Sequence, residues 1–304
     1  MHVHTLRRAL VPMLAASALT CLVPAAGASA APVTPTAEVA CESGATGGDV
    51  AIKRPGERLA SGETLNSPRR NTELVMQADG NLVLYALGNP GGAKLPLWST
   101  GTYGNPGAYA AMQEDGNFVV YKKGGGPDKG GALWATGTYG DRTDTYPGAY
   151  LRADGEFFVE GRSYSFTYVW TTAAVERSAK VCEATEEDPR WPWLPGNWGQ
   201  SATVWMVMQK DGNLVIYRKS DGKAIWSTGT YGAKYRVDLT MDPKGDLILR
   251  ERDRAETLRW HSNTEGSKGA FALLQDDGNF VVYKKTGGPD KGGALWDTGT
   301  YNKI

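Results

Sequence analysis

Six stretches of the chain alternate apolar and polar residues about a turn that ends in glycine. They begin at Met76, Met112, Leu151, Met208, Met241 and Leu274, and the fullest copy reads Met112-Gln113-Glu114-Asp115-Gly116-Asn117-Phe118-Val119-Val120-Tyr121. A tryptophan follows each copy, at Trp98, Trp134, Trp170, Trp226, Trp260 and Trp296, with spacings of 36, 36, 56, 34 and 36 residues. A period of that size marks one supersecondary unit used repeatedly. The long gap divides the six units into two sets of three.

Asp-Gly between two alternating runs predicts a β-hairpin. A three-residue loop (Glu114, Asp115, Gly116) with its glycine left-handed sets Gln113 opposite Asn117. The copy Asp242-Pro243-Lys244-Gly245-Asp246 favours that loop over a two-residue one, since proline suits the first loop position of a type I turn. Alternation then sorts the side chains into two faces. The predicted inner face is apolar in every unit: Met76, Leu82, Leu84; Met112, Phe118, Val120; Leu151, Phe157, Val159; Met208, Leu214, Ile216; Met241, Leu247, Leu249; Leu274, Phe280, Val282.

The outer face is polar, and it varies. Four units keep one set: Gln77, Asp79, Asn81, Val83, Tyr85; Gln113, Asp115, Asn117, Val119, Tyr121; Gln209, Asp211, Asn213, Val215, Tyr217; and Gln275, Asp277, Asn279, Val281, Tyr283. Two units depart from it, with Arg152, Asp154, Glu156, Phe158, Glu160 and with Asp242, Lys244, Asp246, Ile248, Arg250. Arg152 and Glu156 are expected to form a cross-strand ion pair. Folding thus needs the apolar face and the turn, whereas the polar set is dispensable to it and is a candidate binding surface. Recent duplication accounts for part of the identity, because residues 112–139 and 274–301 differ at only four positions, Met112/Leu274, Glu114/Asp276, Gly124/Thr286 and Ala135/Asp297.

Gln-x-Asp-x-Asn-x-Val-x-Tyr, written repeatedly with Trp-Ser-Thr-Gly-Thr segments after it, resembles the bulb-type (monocot) mannose-binding lectins. Leu59-Ala-Ser-Gly-Glu-Thr-Leu65 is similar to that family's domain opening, and the resemblance covers roughly residues 50–304. It implies an all-β chain of two tandem β-prism II domains, each with three antiparallel sheets in pseudo-threefold arrangement and three tryptophans on the axis. It also implies roles: Asp and Asn for the axial 2-hydroxyl of mannose, Gln for the 3-hydroxyl, Tyr for the 4-hydroxyl and Val against the ring carbons. In relatives the last strand often crosses to a neighbouring domain, so Thr298 to Ile304 is expected on domain one. A tandem-domain bacterial member of the family is also similar to the lectin-like bacteriocins, secreted toxins that recognise related bacteria through surface polysaccharide. The partners implied are mannose-containing glycans or such a polysaccharide, and a homodimer stays open.

Around the units the chain divides as follows. Residues 1–30 read as a secretory signal, with Arg7 and Arg8, an apolar stretch Ala9–Val23 and the cleavage pattern Ala28-Ser29-Ala30. A lipoprotein anchored through Cys21 is the rival reading. Residues 31–49 are a Pro, Thr, Ala and Gly-rich lead-in, 50–175 the first domain, 176–195 a charged, proline-rich linker and 196–304 the second domain. Trp191, Trp193, Trp198 and Trp205 are expected to plug the domain junction. Removing the signal leaves Cys41 and Cys182, an even pair that suggests a disulfide in an exported protein.

Loss of Arg7 and Arg8 leaves 31 basic against 33 acidic side chains, a net charge of about −2 that predicts neither nucleic-acid binding nor membrane insertion. Gly124-Gly-Gly-Pro-Asp-Lys-Gly-Gly131 lacks the Lys-Ser/Thr of a phosphate cradle and reads as a flexible hairpin tip. The mature chain has one histidine, His261, expected on the surface. It shows no Cys/His metal spacing and no Ser-His-Asp set. Binding without catalysis, cofactor or metal is the expectation.

Overall fold

A computed structural model describes residues 50–88, 91–139, 148–160, 170–183 and 192–304. The segments expected to be signal and lead-in (1–49, with Cys21 and Cys41) and Trp191 lie outside the described residues. The chain is all β there, with six antiparallel sheets, three from each half.

Each unit folds as its pattern dictates. Gln113 N–H donates to the Asn117 carbonyl at 2.8 Å and Gly116 N–H to the Gln113 carbonyl at 3.1 Å, which is the three-residue loop. The same two bonds recur in all six units, and the closing glycines Gly80, Gly116, Gly155, Gly212, Gly245 and Gly278 sit at φ between 84° and 92°. Only glycine takes that conformation without strain. All eighteen predicted inner-face residues are buried in the cores of the two halves.

The unit's third strand brings its tryptophan inward. Trp98, Trp134 and Trp170 meet edge to face with centroids 5.3–5.4 Å apart, and Trp226, Trp260 and Trp296 do so at 5.2–6.1 Å. Three large rings around one axis favour the T-shaped arrangement. This is the expected three-sheeted prism, twice.

A lead segment completes most sheets to four strands. In the first half Val50–Lys53, Arg58–Leu59 and Thr64–Asn66 pair with Gly148–Arg152, Tyr109–Met112 and Thr72–Met76, one per sheet. In the second half Lys180–Cys182 pairs with Phe271–Leu274, and Trp198–Gln200 with Val204–Met208. Single bridges join Glu183 to Met241 and Trp193 to Leu239 along the three-stranded sheet. The stretch 176–195 is therefore not only a linker: its Lys180–Cys182 supplies an edge strand, because the second prism needs the same lead as the first. Trp193 accordingly packs in the second core, while Trp198 and Trp205 form a cluster with Ala86 and Leu95 of the first half, at the junction.

Two more expectations change. The tail Thr298–Ile304 stays on its own half, where Arg218 donates to the Lys303 carbonyl at 2.8 Å and Ile304 covers Gly278. The glycine-rich tip is a paired hairpin rather than a loose one, with the ladder running on to Gly126↔Gly130 and Tyr109 Oη donating to the Gly125 carbonyl at 2.8 Å.

The turns differ in how closely other backbone approaches. A Cβ at Gly80 or Gly245 would stand 2.2 Å from the Asn105 or Ser267 carbonyl oxygen, whereas at Gly116 the nearest atom, the Thr138 carbonyl oxygen, is 3.5 Å away. Gly116→Ala is expected to cost about 1–2 kcal/mol from the left-handed backbone alone. Gly80→Ala and Gly245→Ala should cost about 2–5 kcal/mol because overpacking adds to that strain. Urea unfolding of the three variants checks the order, and equal costs would contradict it.

Candidate functional site

Each intact unit carries its five residues on the outer face, and the structure brings them together. Gln Nε2 donates to the tyrosine hydroxyl across the hairpin, Gln77 to Tyr85, Gln113 to Tyr121 and Gln209 to Tyr217 at 2.7 Å, and Gln275 to Tyr283 at 2.6 Å. The aspartate caps the turn: Oδ1 of Asp79, Asp115, Asp211 and Asp277 accepts the backbone N–H of Asn81, Asn117, Asn213 and Asn279 at 2.9–3.0 Å.

The asparagine is fixed by residues from the third strand's end. Asn81 Oδ1 accepts from Thr100 Oγ1 and from the Thr102 N–H, both at 3.1 Å. Thr136 and Thr138 serve Asn117, Thr228 and Thr230 serve Asn213, and Thr298 and Thr300 serve Asn279 in the same way. The second threonine also donates its hydroxyl to the turn glycine's carbonyl at 2.7 Å in all four units. These threonines were legible as the repeated Thr-Gly-Thr after the tryptophan, but alternation on the hairpin alone does not reveal what they hold.

With Oδ1 engaged, the asparagine presents its Nδ2 donor outward. Asn81, Asn117 and Asn213 have no acceptor for Nδ2 among the described residues, whereas Asn279 Nδ2 reaches Asp297 Oδ1 at 3.3 Å. Three sites thus offer two donors, Asn Nδ2 and the tyrosine O–H, and two acceptors, Asp Oδ2 and Gln Oε1, and the fourth offers the same set with Asn279 Nδ2 shared with Asp297. That is a set matched to a polyol. Val83, Val119, Val215 and Val281 are only 2–4 % exposed and form the aliphatic floor under these groups.

Burial pushes the hydroxyls of Tyr121, Tyr217 and Tyr283 above the ordinary phenol value, so they remain protonated donors. Surroundings differ between sites. Tyr85 stands opposite Glu73, which pairs with Lys94 at 2.5 Å, while Tyr121, Tyr217 and Tyr283 stand opposite Tyr109, Trp205 and Phe271. The site at Asn213 also borders the other half: Leu95, Pro96 and Leu97 wall a cleft of about 250 Å³ with Gln209, Lys210 and Tyr217.

The two departing units use the same position internally. Arg152 pairs with Glu156 at 3.2 Å as expected, and with Asp154 at 3.3 Å. Here the segment after Trp170 is covered: Trp198 Nε1 donates to the Ala174 carbonyl at 3.2 Å and Asn197 Nδ2 to the Ala173 carbonyl at 3.3 Å. In the other unit Asp246 takes the asparagine's place, with Oδ1 accepting from Ser262 Oγ at 2.8 Å and the Thr264 N–H at 3.0 Å. His261 lies at the surface as expected, its side chain 40 % exposed, and its Nδ1 is 2.8 Å from Asp246 Oδ2. Cys182 is disulfide-bonded, and Cys41, its expected partner, lies outside the described residues. No group of side chains with metal-ligand spacing occurs among the described residues.

No family model matches the chain. A mannose-specific lectin of Aloe arborescens is 33 % identical over 96 residues, which are 31 % of this chain and 77 % of that protein. Mannose-specific lectin 2 of Colocasia esculenta is 36 % identical over 100 residues, so the match spans only 33 % of that relative's length and 33 % of this chain. Among solved structures, the mannose-specific agglutinin of snowdrop (Galanthus nivalis), complexed with methyl-α-D-mannoside, is 32 % identical with a TM-score of 0.30, covering 38 % of this chain and 96 % of that one.

Asp246 generates a pH prediction. Burial alone would raise its carboxyl, but the Thr264 N–H, His261 and Ser262 outweigh burial and hold it below the ordinary value. A carboxylate lowered by folding contributes stability that is complete above about pH 4 and lost as pH falls through the folded value. Asp246→Asn should therefore flatten the acid limb of the stability–pH profile below about pH 4. An unchanged profile in denaturant titrations would show that Asp246 carries no such linkage.

Proposed function

The chain belongs to the monocot mannose-binding lectin family, and we propose that it is a secreted, multivalent lectin whose four intact units each hold one α-D-mannose-type residue. The observation that carries this reading is the asparagine anchored through Oδ1 in four units, its amide donor turned outward in three of them beside an unengaged carboxylate oxygen. An axial 2-hydroxyl sits between that donor and that acceptor, with Gln Oε1 and the tyrosine hydroxyl taking the neighbouring hydroxyls. A sugar with an equatorial 2-hydroxyl leaves those partly buried groups unmatched, which is the source of selectivity. The signal-like pattern of residues 1–30 and the disulfide at Cys182 support export.

Four hydrogen bonds at about 0.5–1.5 kcal/mol net each, less the cost of association, leave a dissociation constant of about 1 mM per site. Repetition compensates on a branched or clustered glycan, where avidity exceeds any single site.

Asn→Asp is the clean test. It keeps the Oδ1 anchor, replaces the outward donor by an acceptor and adds a negative charge beside the site aspartate; Asp246 shows the anchor itself accepting a carboxylate, there with His261 on its second oxygen. Calorimetry with methyl α-mannoside is expected to lose about one quarter of its binding capacity for each of Asn81→Asp, Asn117→Asp, Asn213→Asp and Asn279→Asp, and all of it in the quadruple variant. No heat with the parent chain would sink the reading. Killing of related bacterial strains by the purified chain, abolished by the quadruple variant, would move it to a lectin-like bacteriocin.

The duplicated pair supplies a second test. Asn279 Nδ2 is engaged by Asp297, where the twin unit has Ala135 and a free donor. Asp297→Ala should tighten that site about two- to tenfold, one hydrogen bond's worth. A titration of the Asn81, Asn117, Asn213 triple variant isolates it, and a weakened site would contradict the competition.

A further inference from the structure

Four tyrosines stand clear of the surface at one structural position. Tyr103, Tyr139, Tyr231 and Tyr301 are 71 %, 68 %, 67 % and 55 % exposed, and each directly follows the second threonine of a Thr-Gly-Thr segment. All four belong to units with the intact polar set. The two departing units have Val175 and Glu265 there.

Folding does not require these rings. The departing units make the same left-handed bend without them, using Ala173 at φ 57° and Asn263 at φ 59° where the others have glycine. Duplication relates Tyr139 to Tyr301, and residues 98–104 are identical to 226–232, but those two segments diverge from Asn105 and Ala233 onward. Single exposed tyrosines need no explanation. Four that accompany the polar set, with none where the set is lost, do need one.

Their roots are fixed close to the site. The Thr102 N–H lies 3.1 Å from Asn81 Oδ1, and the same contact is 3.3, 3.2 and 3.2 Å at Thr138, Thr230 and Thr300. The next Cα is then at most about 8 Å from the asparagine amide, and a tyrosine side chain reaches about 6 Å further. That range spans the space beside a hexose seated on the asparagine, about one sugar ring across. At Tyr103 and Tyr231 the flanking glycines Gly101, Gly104, Gly229 and Gly232 have nothing packed where a Cβ would be, so those rings stand on an uncrowded stem.

We propose that these tyrosines are aromatic platforms for the second residue of a bound glycan, so that each intact unit recognises a mannose-ended di- or oligosaccharide rather than a lone hexose. The inference rests on the mannoside reading of the polar set above. The apolar C–H face of a pyranose packs on an aromatic ring, and tyrosine supplies such a surface with only two side-chain rotations to restrain. The departing units, which hold no first residue, have no use for a platform.

The test compares methyl α-mannoside with a methyl mannobioside by calorimetry on the parent chain and on the variant carrying Tyr103→Ala, Tyr139→Ala, Tyr231→Ala and Tyr301→Ala. The parent is expected to bind the disaccharide about two- to tenfold tighter than the monosaccharide. The alanine variant, with unchanged thermal unfolding, should keep its monosaccharide affinity and lose that gain, and the corresponding Phe variant should retain it. The proposal is overturned if the parent shows no gain, if the gain survives in the alanine variant, or if monosaccharide binding disappears with the rings. No binding of either sugar to the parent overturns the mannoside reading as well, whereas monosaccharide binding without a gain leaves that reading standing.

Discussion

The bond between a threonine hydroxyl and the carbonyl of the turn glycine ties the whole unit together. It recurs at 2.7 Å in five units, from Thr102, Thr138, Thr230, Thr264 and Thr300 to Gly80, Gly116, Gly212, Gly245 and Gly278. It draws the end of the third strand over the tip of the hairpin. There the same segment's N–H groups and hydroxyls meet the side chain at the asparagine position. One contact therefore closes the sheet and aims the polar group, and fold and site share a single set of atoms. The sixth unit has Ala174 at that place, and its Glu156 is held by Arg152 and Thr171 instead.

That sixth unit shows what displaces a site. Its tip lies against the start of the second prism, where Glu176 accepts from Asn71 at 2.5 Å and from Gln200 at 2.6 Å, and Lys219 donates to Gln200 Oε1 at 2.7 Å. Burial pushes the Glu176 carboxyl above its ordinary value and the Lys219 amine below its own, the direction expected when ionised groups lose water. Such a network is stable only if every member finds a partner. The unit thus keeps its hairpin and its core, while its tip and the segment after Trp170 are held in the junction by Asn71, Asn197 and Trp198.

Most of this architecture was legible because it depends on short-range rules. Period-two burial, a left-handed glycine and a tryptophan at constant distance each leave a mark within some thirty residues of sequence. The misreadings involve pairing across longer separations. Lys180–Cys182 looks like linker until its partner Phe271–Leu274 is known, and the last residues looked free to cross until Gly278 and Arg218 were seen to receive them. The degree of burial of Val83 and its counterparts is not legible in the pattern. Alternation assigns a face but not how far neighbouring side chains close over it.

The four intact sites share their grip and differ in their walls. Glu73 with Lys94, Tyr109, Trp205 and Phe271 stand in turn opposite the site tyrosine, and only the third site borders Leu95, Pro96 and Leu97 of the other half. Under the proposed function, a terminal hexose touches the grip, while the walls meet whatever is attached to it. Repetition of the grip then gives avidity, and divergence of the walls decides which branch each site prefers. The same logic accounts for the order of tolerance along the chain: residues of the inner face hardly vary in character, those of the grip vary only where a unit is buried or repurposed, and those of the walls vary everywhere.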